Sequence, residues 1–255
     1  MQTIIFFDID STLIENRFSA KAIRQLLEEI APAAEKSVQA LGQELGQENA
    51  RRQAHDPDHP LTMDWHDIVQ SMAEKYGVTL SSNVDTLWNK YADADDVEIL
   101  DEVHKVLPKL KQGRKLVIAT KGLSKYQNPV LQVSGLDSHF DDILTPDITG
   151  YLKTTKAYFE KYLAEDALFI QVGDHFYDDV MCAKRNGFYS ILRAPIKALT
   201  VYDPFDRPKV INQYLDQIKT YPKEGTKVRP DAVVVSLQEL PSVIERIEAQ
   251  HSNGN

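Results

Sequence analysis

Asp8 and Asp10 are two carboxylates one residue apart, at the end of the apolar run Thr3–Phe7 (TIIFF). If the strand continued, both would project from one face. The point where a strand gives way to a loop is where open α/β sheets bind ligands. Three D-x-D pairs occur in the chain: Asp8/Asp10, Asp56/Asp58 and Asp93/Asp95. Only the first follows an apolar strand and precedes two hydroxyl residues, Ser11 and Thr12, and the apolar pair Leu13-Ile14. The same residues could also form a turn with a local side-chain cap.

Two further strand ends carry chemistry. Leu116–Ala119 runs into Thr120-Lys121-Gly122. A hydroxyl donor, a cation and a glycine whose backbone a ligand can approach closely suit a phosphate, although the triplet is also a common turn. Leu168–Val172 runs into Gly173-Asp174, followed by Asp178 and Asp179. Three carboxylates in six residues suit a hard cation such as Mg²⁺. Asp174 is expected in the loop. Asp178 and Asp179 fall on the first turn of the next helix, where acidic side chains also complement the helix dipole.

The elements that must position these groups follow from hydrophobic periodicity. Thr3–Phe7, Lys115–Ala119, Leu168–Val172, Tyr189–Leu192 and Ala232–Val235 are too short for helices and read as strands buried on both faces. Helical patterns alternate with them. Val103, Val106, Leu107 and Leu110 form one stripe that Gly113 would stop, and residues 154–164, 176–186 and 239–249 give three more. The alternation predicts a doubly wound, mostly parallel α/β sheet. Residues 16–97 show no convincing strand. Stripes at Ile23, Leu26, Leu27, Ile30, at Val38, Leu41, Leu45, at Trp65, Ile68, Val69, Met72 and at Val84, Leu87, Trp88, Tyr91 predict an inserted helical bundle, divided by Pro32, by the His55–Pro60 loop and by Gly77. A proline-rich segment, 194–229, interrupts the last strand pair and carries one helical stripe, Val210, Ile211, Tyr214, Leu215 and Ile218. The polar tail His251–Asn255 is expected to fray.

Composition narrows the class. The chain has 255 residues, 42% hydrophobic and 26% charged, which excludes disordered and collagen-like proteins. The charge balance, 29 − 38 = −9, leaves no basic footprint for nucleic acid. No apolar run approaches a membrane span and the first residues lack a basic signal region. One cysteine, Cys182, can form no intrachain disulfide. A cytoplasmic protein acting on a small molecule is expected, with no nucleic-acid or membrane partner; the oligomeric state stays open.

Taken together, the motifs resemble those of the haloacid dehalogenase-like hydrolase superfamily, in the pattern of its phosphatase members. Its first motif, D-x-D-x-[TV], matches Asp8 to Thr12; its second, a strand-end Ser or Thr, matches Thr120. Its third, often K-P-x-x-x-x-F, matches Lys153 to Phe159 with Thr154 in place of proline, which leaves Lys156 as a rival. Its fourth, G-D-x-x-x-[ND]-D, matches Gly173 to Asp179. The resemblance implies a Rossmann-like α/β core over 1–15 and 98–255, with 194–229 as an elaborated insertion and 16–97 as a helical cap. It further implies Asp8 as nucleophile forming an aspartyl-phosphate, Asp10 as general acid and base, and Thr120 and Lys153 on the phosphoryl oxygens, with Lys121 beside them. Mg²⁺ would be held by Asp8, the Asp10 backbone carbonyl and Asp174. The expected activity is Mg²⁺-dependent hydrolysis of a small soluble phosphomonoester, such as a sugar phosphate, a nucleotide or a phosphoglycolate-like acid. A phosphomutase or a 2-haloacid dehalogenase of the same superfamily would share much of this residue set, and a phospho-acceptor signalling domain or an inactive binding module would differ in class. Arg17, Arg51, Arg52, His55, His59 and His175 read most simply as surface, loop or rim residues, and Trp65 and Trp88 as core of the helical insert.

Overall fold

The computed structural model describes residues 2–56, 59–218, 221–222 and 226–254. Among the described residues eight strands form, β1 (Gln2–Phe7), β2 (Ile14–Asn16), β3 (Val97–Ile99), β4 (Arg114–Ala119), β5 (Asp142–Leu144), β6 (Ala167–Gly173), β7 (Tyr189–Arg193) and β8 (Ala232–Val234). Six of them make one parallel sheet in the order β5-β4-β1-β6-β7-β8. Counted along the chain within that sheet the order is 3-2-1-4-5-6, the doubly wound arrangement, whose crossover direction reverses beside β1.

The strands read as continuous apolar runs because both faces are covered. Ile5 and Phe7 face one core with Ile118, Ile170 and the C-terminal helix Leu240–Gly254. Ile4 and Phe6 face the other, with Phe159, Tyr162 and Phe188 ringing Phe6 at centroid distances of 4.9–5.7 Å. Phe7 is level with Ile118 of β4 and with Val172 of β6. The residues just beyond each, Asp8, Ala119-Thr120 and Gly173-Asp174, therefore leave the sheet at one edge, side by side.

The insert folds as helices α1 (Phe18–Ala34), α2 (Val38–His55), α3 (Trp65–Lys75) and α4 (Val84–Tyr91), as the apolar stripes predict. The segment is not free of strand. At its margins β2 and β3 pair antiparallel, Ile14 with Ile99 and Asn16 with Val97, runs too short for periodicity to register. Pro32 does not divide helices either. It lies in the last turn of α1, which stops at Glu35 in the left-handed conformation (φ 52°). α2 runs to His55, and Pro57 and Asp58 of the expected loop lie outside the described residues.

Within the core, α5 (Val103–Leu110) is where its stripe places it, while α6 (Ser124–Ser134) carries a weaker stripe, broken by one polar residue, Gln127, and by Pro129. Three expected helices are broken. Residues 154–164 form a 3₁₀ turn (Lys156–Phe159) followed by a single α-turn; residues 176–186 form a π-turn (Phe176–Met181) followed by Cys182–Asn186. The stripe after residue 207 becomes one α-turn and a 3₁₀ segment kinked at Tyr214. Of the tail, the last helix continues to Gly254, with Ser252 donating to the Glu248 carbonyl, and Asn255 lies outside the described residues. No helix among the described residues is long and apolar enough to cross a membrane.

Candidate active site

Lys153 joins the motifs. Its side chain has no solvent exposure, and its ammonium lies 2.8 Å from an Asp8 oxygen and 2.6 Å from an Asp179 oxygen. Burial alone would push the ammonium toward neutrality, but the two carboxylates outweigh it and hold the lysine protonated. The Cys182 thiol donates to the Lys153 carbonyl and anchors the loop from beneath. The rival of Lys153, Lys156, is exposed.

Asp179 is a structural keystone, which its place on a helix's first turn does not reveal. One oxygen accepts from Lys153 and from Gln171 Nε2 (3.0 Å), the other from the His175 N–H (2.9 Å). The π-turn sets the register that carries this carboxylate back over the strand end. It lies directly on Gly173, where a Cβ would sit 2.0 Å from the Asp179 Cγ. That contact is the physical reason for the glycine of the fourth motif. Asp178 instead pairs with Lys121 at 3.1 Å at the cavity rim.

Asp8, Asp174 and Asp179 each offer an oxygen within 4.8 Å of the others, the arrangement that could hold a metal ion. Enclosure and the charges of Asp8 and Asp179 push the Asp174 carboxyl up to about 7, against the pull of Lys153. The Thr12 hydroxyl leans on Asp174 at 3.4 Å. The group differs from the expected ligand set in adding Asp179. The Asp10 side chain is not part of it.

Asp10 turns to the opposite wall. Its side chain is exposed to the cavity, and the density of protein around it pushes its carboxyl up to about 6. Gln127 Nε2 donates to it at 3.0 Å, with a modest lowering effect. Gln127 packs so tightly over Gly122 that a Cβ there would sit 2.2 Å from the amide nitrogen. The sequence reading missed Gln127. The signal was present: Leu123, Tyr126, Gln127 and Val130 fall at i, i+3, i+4 and i+7, with one polar residue in an apolar slot.

Thr120 is buried at the end of β4, its Oγ1 accepting from the Gly122 N–H at 3.2 Å and its carbonyl taking the Tyr158 hydroxyl at 2.8 Å. Lys121 and Thr120 both line a cavity of about 550 Å³ that spans the acidic cluster and the helical insert. α6 docks the insert beside it. The Tyr126 hydroxyl and Lys125 bond Asp64 and Asp85, and the Trp88 indole N–H donates to the Tyr126 carbonyl. On the far side, buried Arg193 bonds the Ser11 carbonyl and Asp101, on either side of the β2–β3 ribbon.

A doubly wound sheet with strand-end carboxylates, a hydroxyl and a buried lysine at the point of reversal defines a class of α/β hydrolases. The sequence matches the haloacid dehalogenase-like hydrolase family over residues 3–187, and the chain belongs to that family. A bovine (Bos taurus) relative, haloacid dehalogenase-like hydrolase domain-containing protein 3, is 25% identical over 206 residues, covering 75% of this chain and 81% of the relative. Among solved structures, a HAD phosphatase from Thermococcus onnurineus superposes with a TM-score of 0.66 at 20% identity, covering 96% of this chain and 98% of the other. The L-2-haloacid dehalogenase of Xanthobacter autotrophicus gives 0.60 at 16% identity, covering 96% and 99%. These two likenesses establish the shared fold.

Proposed function

We propose that this hydrolase is a Mg²⁺-dependent phosphomonoesterase acting through an aspartyl-phosphate on Asp8, on a small soluble phosphorylated metabolite in a reducing, cytoplasmic setting. One observation carries the reading: Asp8 and Asp179 converge on a single buried lysine with Asp174 within 4.8 Å of both, while a fourth carboxylate, Asp10, stands apart against Gln127. Asp8, Asp174 and Asp179 sum to −3 and Lys153 supplies +1, so a divalent ion would bring the cluster to neutrality. Hard oxygen donors suit Mg²⁺. Asp8, Asp174 and the Asp10 backbone carbonyl would hold it, because both Asp179 oxygens are already spent on Lys153, Gln171 and the His175 N–H. When bound, the ion supplies positive charge against which a dianionic ester and a carboxylate nucleophile can approach each other.

The chain's own residues do the rest. Lys153 and Thr120 orient the phosphoryl oxygens, with Lys121 at the rim. An Asp8 oxygen attacks phosphorus, the bond from phosphorus to the ester oxygen breaks, and Asp10 gives its proton to the departing alkoxide. Water then attacks phosphorus, Asp10 takes back a proton, and the Asp8–phosphorus bond breaks to release inorganic phosphate. Enclosure favours the protonated form of Asp10 that the first step needs.

A halide leaves carbon without a proton and needs no cation, so Asp10 and Asp174 favour phosphate over haloacid. The test is a panel of phosphomonoesters assayed with Mg²⁺ and after chelation, alongside 2-chloropropionate. Turnover should vanish on chelation and in Asp8→Asn. Metal-independent chloride release with no phosphate release would overturn the proposal, and phosphoryl transfer to a second hydroxyl without net hydrolysis would reassign it to a mutase.

A further inference from the structure

The cavity over Asp8 is built of two unlike halves. Every ionisable group lining it with charge to offer, five carboxylates with Lys121 and His175, comes from the loops of the sheet. The insert contributes Ile23, Leu45, Met63, Trp65 and Trp88. Its polar lining groups, Asn16 and Ser19, bond each other: the Ser19 N–H reaches Asn16 Oδ1 at 3.3 Å and the Ser19 hydroxyl reaches the Asn16 carbonyl. Two aromatic polar ends are occupied elsewhere, the Trp88 N–H on the Tyr126 carbonyl at 3.0 Å and the Tyr126 hydroxyl on Asp64 at 2.8 Å. Both rings present hydrocarbon to the cavity.

From this lining we infer that the substrate's alcohol portion is a neutral, largely apolar group, ring-bearing by preference, rather than a polyol or a second acid; the inference rests on the phosphomonoesterase reading. A carboxylate or second phosphate would find no cation on the insert's wall, and Lys121 is already paired with Asp178. A polyol would surrender hydration for a wall that is mostly hydrocarbon. The space also favours a larger group. About 550 Å³ holds roughly eighteen water-sized groups at ~30 Å³ each, of which a phosphoryl group fills roughly five. The acid-tailed, phosphoglycolate-like substrate considered from sequence is the poorest fit.

The chain's two tryptophans, Trp65 and Trp88, both line this cavity, so intrinsic fluorescence reports its occupancy without turnover. The experiment titrates benzylphosphonate, 2,3-dihydroxypropylphosphonate and phosphonoacetate into the Mg²⁺-loaded protein, and in parallel compares hydrolysis of benzyl phosphate with glycerol phosphate. Burying a phenyl ring should tighten benzylphosphonate by about ten- to a hundredfold over the dihydroxypropyl analogue. Ile23→Lys and, separately, Met63→Lys should reduce that ratio and improve phosphonoacetate. Equal or tighter binding of either polar analogue, or no fluorescence response to any of the three, overturns the inference. Hydrolysis of both esters at equal efficiency overturns the inference and leaves the phosphatase reading standing. Preferential binding of benzylphosphonate with no ester turned over supports the apolar selectivity and defeats the phosphatase reading.

Discussion

Lys153→Met replaces a buried ammonium with an uncharged chain of similar length, leaving Asp8 and Asp179 facing each other without compensation. Asp179 is only 1% exposed, so little of its charge can be rehydrated where it stands. Breaking a buried pair by removing one partner costs about 3–5 kcal/mol. At ~2–4 °C per kcal/mol for a chain near this size, the melting temperature should fall by about 6–20 °C. The measurement is thermal and urea unfolding in the presence of a chelator, so that no divalent ion stands in for the lost charge. Lys153→Met/Asp179→Leu is the decisive companion. With both partners apolar it should regain most of the lost stability while hydrolysis stays absent, since no cation remains on the phosphoryl oxygens. A single variant melting within a degree or two of the parent, or a double variant no better than the single, would refute the claim that Asp179 and Lys153 form one buried charge unit.

Other substitutions test separate links. Gly173→Ala should cut turnover at least a hundredfold, because the new methyl displaces the Asp179 carboxylate rather than a flexible chain end; steady-state kinetics with a circular-dichroism control check it. Arg207 is 2% exposed and forks onto Glu239 at 2.7 and 2.8 Å, tying the 194–229 segment to the turn after β8, so Arg207→Leu should lose about 3–5 kcal/mol in urea unfolding. The Arg114 guanidinium, 2.6–2.7 Å from Glu248, holds that carboxyl below its ordinary value of 4.5. A depressed carboxylate contributes stability that is complete above pH 4.5 and disappears as pH falls through the folded value. Glu248→Gln should therefore lower the melting temperature at pH 7 and flatten its decline below pH 4.5.

What could be read from the residues, and what could not, divides along one physical line. Positions fixed by local pattern were legible. The strand preceding Asp8, the strand ends at Thr120 and Asp174, and the four stripes of the insert need only apolar periodicity and the rule that ligands meet strand ends. Positions fixed by contact across the chain were not. Asp179 looked like a helix cap because its partner, Lys153, is 26 residues away and a π-turn sets its direction. Gln127 was hidden in a helix that Pro129 disguised, and its role depends on Asp10, 117 residues distant. β5, β2 and β3 are three residues each, shorter than any window that senses a period of two.

The spacing of the first motif acquires a mechanical meaning from the walls around it. Had Asp8 and Asp10 shared one environment, they would compete for the same lysine and the same proton. The turn that follows Ile9, with the Leu13 N–H on the Ile9 carbonyl at 2.8 Å and Ser11 at φ 58°, rolls the chain so that they part company. Asp8 meets a full positive charge at 2.8 Å; Asp10 meets a neutral amide at 3.0 Å. In the proposed reaction Asp10, the carboxyl whose surroundings raise it, is the one that carries the proton, and Asp8 is the nucleophile. The protein around Asp10 raises its carboxyl against the pull of Gln127, which can satisfy an Asp10 carboxylate without neutralising it. Gln127 reaches Asp10 only because Gly122 has no side chain in its way. The glycine after Thr120 and the glycine before Asp174 thus do the same work on opposite walls. Each leaves room for one side chain, Gln127 or Asp179, and each of those governs a different member of the Asp8/Asp10 pair.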